Sequence, residues 1–288
     1  MTLLALAGWY RDNGRHALPW RQTRDPYAVL VSEIMLQQTQ VDRVVPYYTT
    51  WLECWPTVSA LAAASPAEAI RAWSGLGYNR RALNLHRAAL AVVRDHGGDL
   101  PTAAAALRLL PGVGPYTAAA VASFAGAAPV VVVDTNIGRV ISRSLLGAEN
   151  GRATPVCAVN AAAEGVLPAN GEQARDHNLA LMDLGALVCR SRSPLCDACP
   201  LAGTCAWRAA AYPPGPTQTT RAPAFETTAR FARGRIVAAL SAQPSASEAS
   251  LATALPPRHR KSLPAYLAAL ESEGLIERKG ANWSLPAG

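Results

Sequence analysis

The chain has 288 residues, half of them apolar, which suffices for a sizeable core and about two domains and excludes a wholly disordered protein. Its 27 basic and 20 acidic residues leave a net charge of +7, a modest excess that favours a polyanionic partner. No apolar run is long enough to cross a bilayer, and the opening MTLLALAGWYRDNGR has no basic leader region or small-residue cleavage site, so an amphipathic first helix and a cytoplasmic, non-membrane protein are expected.

Residues 18–41, LPWRQTRDPYAVLVSEIMLQQTQV, begin extended and enter a helix at Asp25-Pro26, a capping residue followed by the imino acid that suits a first turn. Glu33 interrupts the apolar run AVLVSEIML. Held among Val29, Leu30 and Leu36, its carboxyl would be kept protonated by desolvation, as a general acid requires; on the solvent edge it is an ordinary glutamate. From Val44 to His96 the pattern is helical, with Pro56 and Pro66 at helix starts and Trp51, Trp55 and Trp73 as core candidates. Within it, WSGLGYNRRALNLHRAA carries two glycines in a turn that presents Leu76 and Tyr78. Arg80, Arg81 and Arg87 either reach phosphates or form a solvated face. Cys54 and Cys157, alone in apolar helices, read as buried packing residues.

Residues 107–143 join two local signals. Ala103–Leu110 forms helix readily, Pro111 stops it, Gly112 and Gly114 permit a tight turn, and Pro115 suits the start of a new helix. Free N–H groups of Gly112, Gly114 and Tyr116 at such a helix N-terminus attract an anion such as a DNA phosphate; the same pattern also makes an ordinary helical hairpin. Pro129–Val133 is a β-branched run, and Asp134 after it caps a helix from Thr135. A carboxylate that accepts helix N–H bonds stays anionic, which suits stabilisation of positive charge on a sugar, although most such aspartates are only caps.

Four of the six cysteines, Cys189, Cys196, Cys199 and Cys205, follow a C-x6-C-x2-C-x5-C spacing that points to a metal site, with zinc and iron-sulfur equally open. Arg190, Arg192 and Arg208 beside them suit a DNA backbone. The stretch from Tyr212 is rich in proline and threonine and reads as a linker over 214–229. Helices at Phe231–Leu240, Ser247–Ala254 and Leu263–Glu273, then GLIERKGANWSL as a hairpin, make a winged-helix pattern over 230–288. Nine basic against five acidic residues occur from Pro214 onward, with Arg258, His259, Arg260 and Lys261 clustered.

LPGVGPYTA followed by VVDTNIGRV resembles the helix-hairpin-helix glycosylase superfamily, and within it the MutY-type adenine DNA glycosylases. SE-x-MLQQTQV and the cysteine spacing carry the resemblance to near Pro213. It implies a mainly α, two-lobed helix-hairpin-helix glycosylase fold: a helical barrel lobe over about 25–130 and a cluster lobe from 1–24 and 131–213. Together these form a glycosylase domain over 1–213, followed by the small winged-helix-like α+β domain. The implied partner is double-stranded DNA with adenine opposite 8-oxoguanine or guanine, the cofactor a 4Fe-4S cluster on the four cysteines, and the protein a nucleoid-associated monomer.

By the same resemblance Glu33 is the general acid at the base, while Asp134 stabilises the sugar cation with Tyr116 and Asn136. Trp20 and Arg21 line the adenine pocket, Gln38 and Thr39 contact the opposite base, Leu76 and Tyr78 wedge the duplex, and Arg139 joins Gly112 and Gly114 on phosphate. Lyase-competent relatives have lysine where this chain has Tyr116, and residues 1–260 contain no lysine, so hydrolysis without strand cleavage is expected. Two departures stand out. Leu179 replaces an adenine-reading Gln or Glu, which keeps a thymine or uracil mismatch glycosylase as the alternative, and the tail is unlike the Nudix-like domain of many members. A non-catalytic iron-sulfur DNA-binding regulator is the alternative from another class.

Overall fold

A computed structural model describes residues 3–149, 154–215 and 223–287; residues 216–222 of the expected linker lie outside them. Among the described residues the chain is helical with one small sheet. Its first helices are α1 (Leu3–Asn13), α2 (Pro26–Leu36), α3 (Val41–Cys54), α4 (Val58–Ala63), α5 (Pro66–Ala72), α6 (Arg80–His96), α7 (Ala104–Leu107) and α8 (Pro115–Phe124). There follow α9 (Thr135–Ser144), α10 (Val156–Glu164), α11 (Gly171–Leu187) and α12 (Ala206–Ala209). The C-terminal segment holds α13 (Ala229–Ser241), β1 (Ala246–Ser247), α14 (Glu248–Thr253), α15 (Pro257–Arg260), α16 (Leu263–Ser272), β2 (Glu277–Lys279) and β3 (Asn282–Ser284). No described helix is long and apolar enough to cross a membrane.

Local chemistry sets the helix starts. Asp25 accepts the backbone N–H groups of Tyr27 (3.0 Å) and Ala28 (3.2 Å), so α2 begins where the Asp-Pro pair places it. Ser65 and Glu68 cap α5 reciprocally: Glu68 N donates to Ser65 Oγ at 3.2 Å and Ser65 N to Glu68 Oε2 at 2.7 Å. The helix expected over 103–110 is shorter, Ala104–Leu107; beyond it Leu109 is 85 % exposed while Leu110 turns back into the core.

The chain forms two compact units. The first comprises Met1–Val29, Thr102–Arg108 and Val113–Thr219, with α11 packing on α9 and α1. Ile137, Val140 and Ile141 of α9 and Leu181 and Leu184 of α11 are buried, the i, i+3, i+4 spacing of an inward stripe.

The second comprises Leu30–Pro101, Leu109–Gly112 and Thr220–Gly288. Trp51 and Trp73 meet edge to face at 5.5 Å in its core, whereas Trp55 is only half-buried and leans on Trp51 at 4.7 Å. The C-terminal sheet has the order β1-β3-β2, antiparallel, with Trp283 opposite both Ala246 and Arg278. β1 and α15 are additions to the expected pattern. Ile236, Leu240, Leu267, Leu270 and Trp283 form one core with Ala67 and Ile70 of α5 and Leu83 of α6, so the C-terminal segment is seated on those helices by burial.

Several expectations are corrected. Cys54, at the last position of α3, and Cys157, in the first turn of α10, are exposed, because both sit on the outer side of a helix end. His259 is buried, its ring nitrogens at 3.1 Å from Tyr266 Oη and 2.8 Å from Glu226 O, and so stands apart from the surface basic cluster.

Candidate active site

Asp134 is the N-cap of α9. Its Oδ1 accepts from the backbone N–H groups of Asn136 (2.9 Å) and Ile137 (2.7 Å), and its Oδ2 from Asn136 Nδ2 at 2.9 Å. Both oxygens are thereby oriented by donors from a helix whose N-terminal dipole favours an anion. Arg139, expected at a phosphate, turns its guanidinium inward, donating to Asn136 Oδ1 (2.9 Å), Gly185 O (2.6 Å) and Cys189 O (2.7 Å). Desolvation by this burial pushes its pKa down. Gly185 makes the arrangement possible: a Cβ there would lie 2.7 Å from Asn136 Cβ, so only glycine lets α11 approach the capped end of α9.

Trp20 is buried in a 3-10 turn, Pro19–Arg21, and the Arg21 side chain is 7 % exposed. Asp183, fully buried on α11, receives Arg15 (Nη2 at 2.6 Å) and Arg21 (Nη2 at 3.2 Å), which ties the N-terminal segment to that helix. With its charge thus engaged, Asp183 is held as an anchor for Arg21, whose Nη1 is buried with no hydrogen-bond partner among the described residues. Leu179, one turn earlier on α11, is buried. Tyr116 lies half-buried in the first turn of α8, which Gly114 caps and Pro115 opens.

In the second unit Glu33 is buried, at 6 % exposure, with Ser32 and Ile34 as buried neighbours. Gln38 and Tyr78 take left-handed backbone angles (φ 56° and 50°), uncommon for residues with a side chain and costing about 1 kcal/mol each. Tyr78 Oη donates to Gln38 Oε1. Leu76, expected to stand out from the turn, is buried at 5 % exposure, leaving Tyr78 as the presented member. Donors pull the turn inward: Arg43 to Gly75 O, Trp73 Nε1 to Gly77 O (3.1 Å) and Arg81 Nη2 to Gly77 O (3.0 Å). Gly112 takes φ 77° and lies against Asn84 of α6, where a Cβ would come within 2.6 Å of Asn84 Cβ.

Arg81 is a strut that its sequence context leaves ambiguous. Its Nη1 donates to Ile34 O (2.9 Å), Met35 O (2.9 Å) and Gln37 O (2.7 Å), the carbonyls left open at the end of α2, and its Nη2 to Thr39 Oγ1 (3.2 Å). Burial pushes its pKa down to about 10, so it stays charged at neutral pH. Arg143 is its counterpart in the first unit, 2 % exposed, stacked on Trp207 at 4.4 Å and donating to Cys189 Sγ (3.5 Å), Arg190 O (2.8 Å) and Glu149 O (2.7 Å). Neither is distinguishable by residue type from the exposed arginines, because the acceptors come from remote carbonyls.

The four cysteines of the C-x6-C-x2-C-x5-C run are free thiols, half-buried, in the stretch after α11. Burial pushes the Cys199 thiol up to about 11, and the nearby Cys189, Cys205 and Cys196 act on it in the same direction. Among the described residues no group of three or more His, Cys, Asp or Glu is gathered tightly enough to hold a metal ion. The donor set itself, four thiols in one short stretch with Arg143 donating to Cys189 Sγ at 3.5 Å, has the chemistry of a thiolate-ligated centre. Arg190, Arg192 and Arg208 flank this stretch; Arg208 pairs with Asp197 at 3.4 Å.

Residues 31–156 match the model of the HhH-GPD superfamily base excision DNA repair proteins. The adenine DNA glycosylase of Mycobacterium tuberculosis is 45 % identical over 82 % of this chain and 77 % of its own length, and that of Mycolicibacterium smegmatis 46 % over 81 % and 78 %. This chain belongs to that family. The human adenine DNA glycosylase is 43 % identical over 70 % of the chain and 38 % of its own length. Among solved structures, a thermostable thymine-DNA glycosylase is similar at a TM-score of 0.65, with 32 % identity over 72 % of this chain and 95 % of that one. An endonuclease III–DNA complex shares the fold, at a TM-score of 0.61 and 23 % identity over 73 % of this chain and 94 % of its own. The helix-hairpin-helix turn at Gly112–Gly114 and the capped Asp134 both fall inside the matched stretch.

Proposed function

We propose that the chain is a DNA repair adenine glycosylase that flips adenine from a duplex where it is mispaired with 8-oxoguanine or guanine and hydrolyses its N-glycosidic bond without cutting the strand. The observation that carries the reading is the cap at Asp134. Its two oxygens are held by two backbone N–H groups and Asn136 Nδ2, so the carboxylate is set in place before any substrate arrives and pays no reorganisation as a sugar cation develops. Glu33 protonates the departing adenine and then takes the proton of the attacking water; its burial suits a carboxyl that must start neutral. Asn136 fixes Asp134, and Tyr116 stands where a lyase would need an amine. Trp20 and Arg21 receive the flipped base, Gln38, Thr39 and Tyr78 the opposite strand, and Gly112 and Gly114 a phosphate.

Cys189, Cys196, Cys199 and Cys205 would hold a 4Fe-4S cluster, which, when bound, lends the loop rigidity and local charge for gripping DNA backbone. Iron and sulfide in equal amounts, without zinc, are expected in purified protein. The glycosylase domain takes residues 1–213, the linker 214–229 and the winged-helix-like domain 230–288. The protein acts as a monomer in the cytoplasm, at the nucleoid.

Base release under single-turnover conditions tests the reading, on duplexes with A opposite 8-oxoguanine and with A, T or U opposite guanine. Adenine should leave, and Glu33→Gln and Asp134→Asn should abolish release while duplex binding persists. Borohydride should trap no covalent adduct, since Tyr116 forms no Schiff base. Release of thymine or uracil with adenine untouched is the second reading, which the buried Leu179 and the likeness to a thymine-DNA glycosylase favour.

A further inference from the structure

The second unit carries a groove of about 920 Å³ between the glycine turn at 75–78 and the N-terminal part of α13. Its walls include Arg43, Arg80, Arg81, Arg230, Arg233 and Arg235 against a single acid, Glu273, and Gly234 leaves it open on the α13 side, with nothing within 4 Å of where a Cβ would stand. Arg233 is neutralised by Glu273 at 2.6 Å, and Arg235 donates to Ala254 O at 3.2 Å. Arg230 is different. It donates to Tyr78 Oη and lies over the Tyr78 ring at 4.5 Å and the Phe225 ring at 4.8 Å, so an exposed side chain is held in one pose by two aromatic faces and a hydroxyl.

That contact propagates. Tyr78 Oη accepts from Arg230 and therefore donates its own proton to Gln38 Oε1. With that bond orienting the amide, Gln38 has its N–H groups to donate into the groove it lines, beside the remaining N–H groups of Arg230. Paired donors at this point of the groove suit a base atom that accepts. Guanine and 8-oxoguanine both present O6, an acceptor, at the position where adenine and cytosine carry an amino donor. From this we infer that Arg230, contributed by the C-terminal segment, positions Gln38 through Tyr78 and so sets the preference for a guanine-class base opposite the excised one. The inference rests on the glycosylase reading for the presence of DNA at this turn. The segment can serve as a fixed wall because its core is continuous with Ile70 and Leu83 of the helices flanking that turn.

The test uses the full chain with wild type, Arg230→Ala, Arg230→Lys, Gln38→Ala and the Arg230→Ala/Gln38→Ala double variant. Affinity is measured by fluorescence anisotropy for uncleavable duplexes identical except for guanine, 8-oxoguanine, cytosine or an abasic residue opposite the target. Arg230→Ala should cut the preference for the guanine-class bases over the abasic residue by about tenfold, and the double variant should lose no more than Gln38→Ala alone. Lysine, which cannot reproduce the planar fork, should restore less than half of the lost preference on a logarithmic scale. Equal weakening on all four duplexes would make Arg230 a phosphate contact and overturn the inference, as would an unchanged preference or additive losses in the double variant. Failure of the wild type to release adenine from any duplex would instead reject the glycosylase reading, which the separate base-release assay detects.

Discussion

Asn136 shows how much one amide can organise. Its Nδ2 holds Asp134 Oδ2 while its Oδ1 accepts from Arg139, so truncation frees one carboxylate oxygen and one guanidinium donor together. A hydrogen bond to a charged group contributes about 1.5–3 kcal/mol, so Asn136→Ala should slow single-turnover base release by roughly 10- to 100-fold, with duplex affinity moved by less than about threefold. His177 makes a prediction about stability. It is buried on α11, its Nε2 lacks a partner among the described residues, and desolvation pushes its pKa down from 6.5 to about 4. Between these values the unfolded chain binds a proton that the folded one refuses. Stability is therefore full above pH 6.5 and falls as the pH drops toward 4, by on the order of 3 kcal/mol. Urea unfolding at pH 7 and pH 5 should show the loss, and His177→Phe should reduce it. The cap at Asp134 was legible because its signature is local: a β-branched run, an aspartate, then helix. The orphaned nitrogen of His177 has no such signature, since burial depends on what packs over it.

Helix packing couples the acid to the rest of its unit. α11 meets the capped end of α9 at Gly185, where a Cβ would lie 2.7 Å from Asn136 Cβ and 2.9 Å from Asn136 O. Backbone cannot yield as a flexible side chain does, so Gly185→Ala should destabilise the fold by about 1–3 kcal/mol and depress base release further than stability alone explains. Parallel denaturation and single-turnover measurements separate the two effects. In the second unit Arg81 serves five acceptors at the end of α2 and in the 75–78 turn. Arg81→Met keeps the bulk and strands those acceptors, which should cost about 3 kcal/mol in urea unfolding. The helix starts at Asp25 and Asp134 were readable, because each aspartate acts within three residues of the cap. Arg81 was not, since the carbonyls it serves lie up to 47 positions away.

At the level of the molecule, a net charge of +7 favours a polyanionic partner, and the proposed DNA role then predicts duplex binding by counterion release. If about six phosphates are contacted, affinity for a duplex should fall by roughly 10³ between 50 and 200 mM salt, measured by anisotropy, and a flat response would leave the basic groove without a DNA role. Helix periods, caps and the four-cysteine spacing depend on contacts within one or two turns, so the linear chain specifies them unaided, and with them the family. Burial is another matter. Whether an arginine becomes a strut, as Arg81 and Arg143 do, or a presented group, as Arg230 does, depends on carbonyls and rings that arrive from distant segments. Arg230 meets Tyr78 across 152 residues of chain, and Leu76 turns inward because remote donors hold its turn. Only the packed chain supplies those neighbours, because desolvation and hydrogen-bond geometry are properties of the surroundings and not of the residue.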